Sequence, residues 1–134
     1  MSSIFLSYRF TGEDPKELQI QLGGIRESLQ FAGHDVACSF WLEPDFQRDR
    51  LTRDEIYARM LRIQGESDVF MAYVKSDARS YGMQIESKRA VELQQKYVLL
   101  ERSGVIIPEF EAVANEIITY DTLEVLCGLL RAFK

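Results

Sequence analysis

The chain has 134 residues, of which 46% are hydrophobic and 28% charged, and its net charge at pH 7 is −5. This length and composition predict a single soluble domain, residues 1–134, whose apolar core needs neither disulfides nor a metal. Acidic and basic residues are interleaved, which argues against a nucleic-acid polymer or a membrane surface as partner. The sequence has no apolar run of membrane-spanning length and no signal-peptide pattern at its start, so we expect a cytoplasmic protein.

Five short apolar segments alternate with helical patterns along the chain. The strands are predicted at residues 3–8, 35–40, 67–74, 97–100 and 116–120, with a long polar loop over 41–53. Helices are predicted from 14 to 33, from a Thr52–Glu55 capping box through about 63, from 83 to 95, and from 122 to 130. This alternation predicts an α/β fold, with a doubly wound, five-stranded, mainly parallel sheet of flavodoxin or Rossmann-like type. Helices on both faces of the sheet would make three layers.

The residues that usually bind metals and cofactors are sparse. Cys38 and Cys127 lie in separate apolar segments, and we expect both in the core. His34 is the single histidine and follows Gly33 at a predicted helix-to-strand turn. Without paired cysteines or a second histidine, neither a zinc site nor a histidine-based triad is expected. Neither a Gly-x-Gly-x-x-Gly fingerprint nor a Walker loop is present, so no cofactor is predicted.

The segment at residues 80–90 follows the most strand-like run and opens a helix. Its first backbone N–H groups have no partner within the helix, which favours an anion or ligand above them. Glu86 lies about one turn into the helix, where the helix dipole would keep its carboxylate ionised. An ionised carboxylate beside a pocket is a candidate nucleophile, although a solvated glutamate in a first turn is an equally good explanation.

Ligands of open α/β sheets bind at the carboxyl ends of the strands where the strand order reverses, most often at the first and third strands. The loops after these strands would share one crevice and bring together Ser7, Tyr8, Arg9, Ser80, Gly82 and Glu86. Hydroxyls, backbone N–H groups and a guanidinium suit a phosphate or a ribose. Trp41 either supplies an aromatic wall for a base or packs beneath the long loop.

The order of these residues resembles a known family. Residues 67–74 (SDVFMAYV), followed by S-x-G-M-x-x-E-x-x-R-A at 80–90, are similar to the signature of the nucleoside 2-deoxyribosyltransferase family. The pattern is nearest to the branch of 2′-deoxynucleoside 5′-phosphate N-hydrolases. The resemblance implies N-glycosidic cleavage or deoxyribosyl transfer on a nucleoside or its 5′-monophosphate, with Glu86 as the nucleophile. It also implies phosphate contacts from Ser7, Arg9 and Ser80, and a homodimer or larger homo-oligomer.

The chain departs from that family at several positions. Phe5 stands where the family usually has a tyrosine, and Tyr8 is the candidate substitute. The expected aspartate falls near Met60, which leaves Asp54 as the nearest acid of the same helix. These changes leave an alternative function, a nucleotide-binding module that has lost turnover.

A second resemblance competes with the first. Residues 4–9 (IFLSYR), followed by Gly12-Glu13-Asp14, are similar to the opening of a Toll/interleukin-1 receptor (TIR) domain. That resemblance implies either cleavage of NAD by a glutamate or a protein-interaction module. Gly82 stands where such domains typically have Trp or Cys, and Asp68 fits the deoxyribosyltransferase pattern better. Both resemblances predict N-glycosidic chemistry at Glu86, and we prefer the first.

Overall fold

The computed structural model describes residues 2–134, and within them five strands form one sheet. The strands are β1 (Ser3–Ser7), β2 (Asp35–Ala37), β3 (Val69–Val74), β4 (Lys96–Arg102) and β5 (Glu116–Tyr120). Their order is β2-β1-β3-β4-β5, and all four pairings are parallel. The chain therefore winds outward from β1 to β2 and returns on the other side of β1 as β3. The predicted doubly wound sheet is confirmed, and its strand order reverses between β1 and β3.

The same described residues form six helices. They are α1 (Pro15–Phe31), α2 (Ser39–Arg48), α3 (Arg53–Gly65), α4 (Tyr81–Glu92), α5 (Pro108–Glu111) and α6 (Leu123–Leu130). Helix α1 begins as predicted, with Asp14 accepting from the backbone N–H of Lys16. The predicted capping box of Thr52 and Glu55 starts α3.

Two apolar cores lie on opposite faces of the sheet, because successive side chains of a strand point to opposite faces. Ile4 and Leu6 of β1 belong to the core under α1 and α6. Phe5 belongs to the other core, where it stacks on Phe70 at 6.2 Å between ring centroids. The predicted arrangement of three layers is thus confirmed.

The prediction for residues 38–53 was wrong in its details. Strand β2 ends at Ala37, and residues 39–48 form α2 instead of the end of a strand and a long loop. Helix α2 has no side-chain cap at Cys38, contains Pro44, and fully buries only Phe46. Since it lacks a start signal and a continuous apolar stripe, its sequence does not have the pattern that marks a surface helix.

The single histidine and the two cysteines are packed within the fold to different degrees. His34 is buried, accepts from the backbone N–H of Ser2 at 3.1 Å and pairs through Nε2 with the carbonyl of Phe133 at 2.8 Å. Cys38 is buried, and burial raises the pKa of its thiol to about 12. Cys127 is only half-buried. No cluster of His, Cys, Asp and Glu in residues 2–134 could hold a metal ion. Over the same residues, no helix has the length and apolar composition needed to cross a bilayer.

Candidate active site

A cavity of about 250 Å³ opens at the carboxyl ends of β1 and β3, the place where the strand order reverses. The volume of this cavity is just below the range of about 300–1,000 Å³ that is usual for small-molecule sites. Its lining residues come from β1 and the loop after it, from α2 and α3, and from the start of α4. They are Leu6, Ser7, Tyr8, Phe10, Thr11, Ser39, Ile56, Tyr57, Met60, Ser80, Gly82 and Glu86.

Glu86 and Ser7 meet in this cavity from different elements. Ser7 is the last residue of β1 and is buried, and Glu86 lies in the second turn of α4. The Ser7 hydroxyl donates to Oε1 of Glu86 at 2.6 Å, a short charge-assisted hydrogen bond when the carboxylate is ionised. Among the described residues, Ser7 is the only side chain that hydrogen-bonds the Glu86 carboxylate. The second oxygen is therefore left for a ligand.

The protonation of Glu86 differs from the expected state. Burial raises its pKa to about 7, and the hydrogen bond from Ser7 lowers it only in part. The helix dipole acts mainly within the first turn, whereas Glu86 lies in the second turn of α4. The prediction that the dipole keeps this group fully ionised was therefore wrong, because desolvation dominates. Near pH 7 Glu86 is present in both its charged and its neutral form.

Tyr8 places a hydroxyl group in the same cavity. Its ring packs against Phe40 at 6.1 Å between centroids. Burial raises the pKa of this phenol well above its usual value, so it stays protonated at any physiological pH. Tyr8 thus brings a neutral donor into the cavity that contains Glu86.

The start of α4 forms another side of the cavity. Ser80 is the N-cap residue, and its hydroxyl accepts from the backbone N–H of Met83 at 3.3 Å. A Cβ atom built on Gly82 would meet nothing closer than the Ser80 oxygen at 4.0 Å, so open space lies over this turn. Ser80, Gly82 and the free N–H groups of the first turn can therefore approach a ligand closely.

Three other predicted site residues lie outside this cavity. Arg9 points into a neighbouring small cavity and is paired with Glu13 at 2.9 Å. Trp41 stacks on Phe40 and lies under the guanidinium of Arg26, 3.9 Å from its ring centroid, so it packs against the protein. Asp54 is exposed in the first turn of α3 and does not line the cavity.

Several lining residues were not singled out from the sequence. Phe10 is 57% exposed although it is a large aromatic, and its position directly after β1 could have drawn attention to it. Ser39 was hidden by the prediction of a strand through residue 40. Tyr57 follows from the helical spacing of α3 only once that helix is placed beside α4.

Helix α3 contributes two apolar side chains to the cavity lining. Met60 is 6% exposed and lines the cavity together with Ile56. Phe5, by contrast, is enclosed in the core and does not reach the cavity. Of the two unusual positions noted in the sequence, only Met60 therefore affects the composition of the cavity.

Comparison with known proteins gives similarity in structure only. No protein-family model matches the sequence, and no curated protein matches it. The CMP N-glycosidase of Clostridium botulinum has a similar structure, with a TM-score of 0.71, 18% identity, and coverage of 98% of this chain and 99% of that one. A 2-deoxyribosyltransferase of Bacillus psychrosaccharolyticus gives 0.67 at 16% identity, with 96% and 95% coverage. A conserved protein of Enterococcus faecalis gives 0.65 at 11% identity, with 98% coverage of both chains.

Identities this low establish the fold and leave the chemistry to the site. The matches extend over nearly the whole length of each chain. The predicted resemblance is confirmed at this level: the chain has the fold of the N-glycosidase and deoxyribosyltransferase structures.

Proposed function

We propose that the protein cleaves the N-glycosidic bond of a nucleoside or nucleoside 5′-monophosphate, by hydrolysis or by deoxyribosyl transfer, with Glu86 as the nucleophile. The observation that carries this proposal is the hydrogen bond between Ser7 and Glu86 in a cavity at the reversal of strand order. The similar structures of an N-glycosidase and a deoxyribosyltransferase support the same chemistry.

In the first step the free oxygen of Glu86 attacks C1′ of the sugar. The bond from C1′ to the base breaks, its electron pair leaves with the base, and an ester forms between Glu86 and the sugar. The departing base takes up a proton from solvent, and in hydrolysis the water that attacks in the second step returns a proton to solvent. Only the charged fraction of Glu86 can attack, so its pKa of about 7 leaves a substantial nucleophilic population at neutral pH.

In the second step water, or a second base, attacks C1′ and the Glu86 carboxylate leaves. The hydroxyl of Ser7 donates to that carboxylate and stabilises it as a leaving group. Tyr8 offers a protonated hydroxyl to developing negative charge or to a sugar oxygen. Ser80 and Gly82 line the same cavity at the start of α4.

A second function, ligand binding without turnover, is favoured by one observation. Met60 and Ile56 line the cavity, and Glu86 is the only carboxylate lining it in the described part of the chain. An enzyme of this type commonly pairs its nucleophile with a second acid. Saturable nucleoside binding with no base release would support this alternative.

Base release from a panel of ribonucleosides, deoxynucleosides, their 5′-monophosphates and NAD tests the proposal. We expect release by the wild type and loss of at least about 1,000-fold in Glu86→Gln, as is typical when a nucleophile is removed. Glu92→Gln, a change on the exposed end of the same helix, is the matched control and should retain activity. No release by the wild type, or undiminished release by Glu86→Gln, contradicts the proposal. Release from NAD alone would instead favour the TIR-like function.

We propose in addition that the protein acts as a homodimer or larger homo-oligomer, as the family resemblance implies. Sedimentation at micromolar concentration measures this directly. A monomer at every concentration tested would contradict this part and leave the chemistry of Glu86 untouched.

A further inference from the structure

A second, smaller cavity adjoins the one that contains Glu86. It also lies at the carboxyl ends of β1 and β3, and Arg9, Glu13 and Lys75 line it. Ser80 lines both cavities, so the two spaces adjoin at the N-terminus of α4. A ligand that contacts Glu86 and extends past Ser80 would reach these charged side chains.

Both cations of the small cavity are bound to the same carboxylate. Glu13 Oε1 accepts from Arg9 Nη1 at 2.9 Å, and Oε2 accepts from Lys75 Nζ at 2.6 Å. The side chains are mostly withdrawn from water, with exposures of 26% for Arg9, 23% for Lys75 and 12% for Glu13. Partial burial strengthens such ion pairs relative to those on an open surface.

The loop between β1 and α1 keeps this arrangement in place. Gly12 has φ of +81°, which allows the tight turn that brings Glu13 back toward Arg9. The guanidinium of Arg9 lies 3.1 Å from where a Cβ of Gly12 would be. Arg9 Nε is buried with no hydrogen-bond partner in the described chain. Arg9 is therefore fixed next to the crevice, and Glu13 rather than solvent is its partner.

A 5′-phosphate on the substrate of the proposed reaction would lie several bonds away from the carbon that Glu86 attacks. Glu86 must approach C1′, and the 5′ carbon extends from the opposite side of the ring oxygen. A phosphate on that carbon prefers a helix N-terminus with adjacent cations. In this protein that place is the first turn of α4 at Ser80, next to Arg9 and Lys75. The carboxylate of Glu13 already binds both of these cations.

We propose, on the basis of the proposed function, that Glu13 is a specificity-determining residue which makes the substrate an unphosphorylated nucleoside. Its carboxylate stands in for the 5′-phosphate as the partner of Arg9 and Lys75. A phosphate dianion entering this place must either displace Glu13 from two partly buried partners or bear its repulsion. A nucleoside, whose 5′ group is a neutral hydroxyl, meets neither obstacle.

The test compares kcat/KM for each common nucleoside with kcat/KM for its 5′-monophosphate. For wild type we expect a ratio of monophosphate to nucleoside at or below about 1, and for Glu13→Gln a ratio at least about tenfold higher. Glu13→Asp keeps the negative charge and should retain the wild-type preference. Glu17→Gln makes the same change of net charge one turn along α1, where the side chain is exposed, and should leave the ratio unchanged. Thermal unfolding of each variant confirms that it is folded.

A wild-type ratio above about 1, or the same ratio in wild type and Glu13→Gln, overturns the assignment of Glu13. Failure of the proposed function has a different signature, namely no base released from any substrate by any variant. In that case calorimetric titration with inorganic phosphate tests Glu13 without turnover. Glu13→Gln should bind phosphate at least about tenfold more tightly than wild type and Glu17→Gln, and equal binding overturns the inference.

Discussion

Replacing Ser7 with alanine tests how the charge of Glu86 is controlled. The change removes the 2.6 Å hydrogen bond to Glu86 Oε1 and adds no polar group to β1. Burial raises the pKa of Glu86 to about 7 and the Ser7 hydroxyl lowers it, so loss of the hydroxyl raises the pKa further. A hydrogen bond to a charged group contributes about 1.5–3 kcal/mol, which corresponds to about one to two pH units.

The effect on activity follows from the sign of this shift. In the proposed reaction the charged carboxylate is the nucleophile, so kcat/KM should rise with pH through the pKa of Glu86, near pH 7 in the wild type. In Ser7→Ala the rising limb should move to higher pH. Activity at pH 6 should therefore fall by about 10–100-fold, and the two profiles should approach each other above the shifted limb. The measurement is base release as kcat/KM between about pH 5 and pH 9.5.

Ser7→Thr is the matched control because it keeps a hydroxyl and suits a strand. Its rising limb should stay near that of the wild type, and thermal unfolding should show that both variants are folded. A limb that stays in place in Ser7→Ala, with an equal loss at every pH, would show that Ser7 only positions Glu86. A wild-type profile without a limb near pH 7 would refute the reasoning about Glu86 itself.

Two further predictions concern stability. Since burial raises the pKa of Glu86 from 4.5 to about 7, this group favours the folded state below about pH 4.5 and loses that contribution as pH rises through 7. Glu86→Gln should therefore be more stable than wild type at pH 8, by up to about 3 kcal/mol in urea unfolding, and the difference should shrink at pH 5. An equal difference at both pH values would contradict this. Gly23→Ala should stabilise helix α1 by about 1 kcal/mol, because the added methyl meets nothing within 4 Å. Gly24→Ala should gain less, since its Cβ would lie 3.2 Å from Cys127 Sγ, and the reverse order in thermal unfolding would show that this contact is unimportant.

The sequence predicted the sheet because its strands carry strong local signals. The continuous apolar run Val69–Val74 is typical of a central parallel strand, and the capping box at Thr52 marks a helix start. Helix α2 was not predicted because it has neither type of signal. Only Phe46 is fully buried, and Phe40, Trp41 and Leu42 are partly buried against the two cores. Helix α5 has only four residues, too few for a periodic pattern to show. Its formation depends on tertiary packing, where Phe110 enters the second core.

The candidate site was predictable to the extent that topology determines it. The carboxyl ends of β1 and β3 must lie side by side once the strand order reverses there, and this brings Ser7 toward Glu86. Topology does not determine the direction of a long side chain that follows a strand end. Arg9 follows β1 as expected, yet it turns toward Glu13 and lines the smaller cavity. Sequence order alone cannot choose between a substrate phosphate and an internal carboxylate as its partner.

The protonation state of Glu86 was even harder to predict from the sequence than the direction of Arg9. The position of Glu86 near the start of a helix suggested a charged carboxylate, because the dipole is a local property of that helix. Its burial depends on the folded chain, which brings Ser7, Tyr8 and Met60 to the same cavity from β1, the loop after β1 and α3. Burial raises the pKa of Glu86 and the hydroxyl of Ser7 lowers it only in part, so desolvation prevails. Glu86 lines the cavity and has a pKa of about 7, so a carboxyl group that titrates near neutrality follows from the fold rather than from the motif.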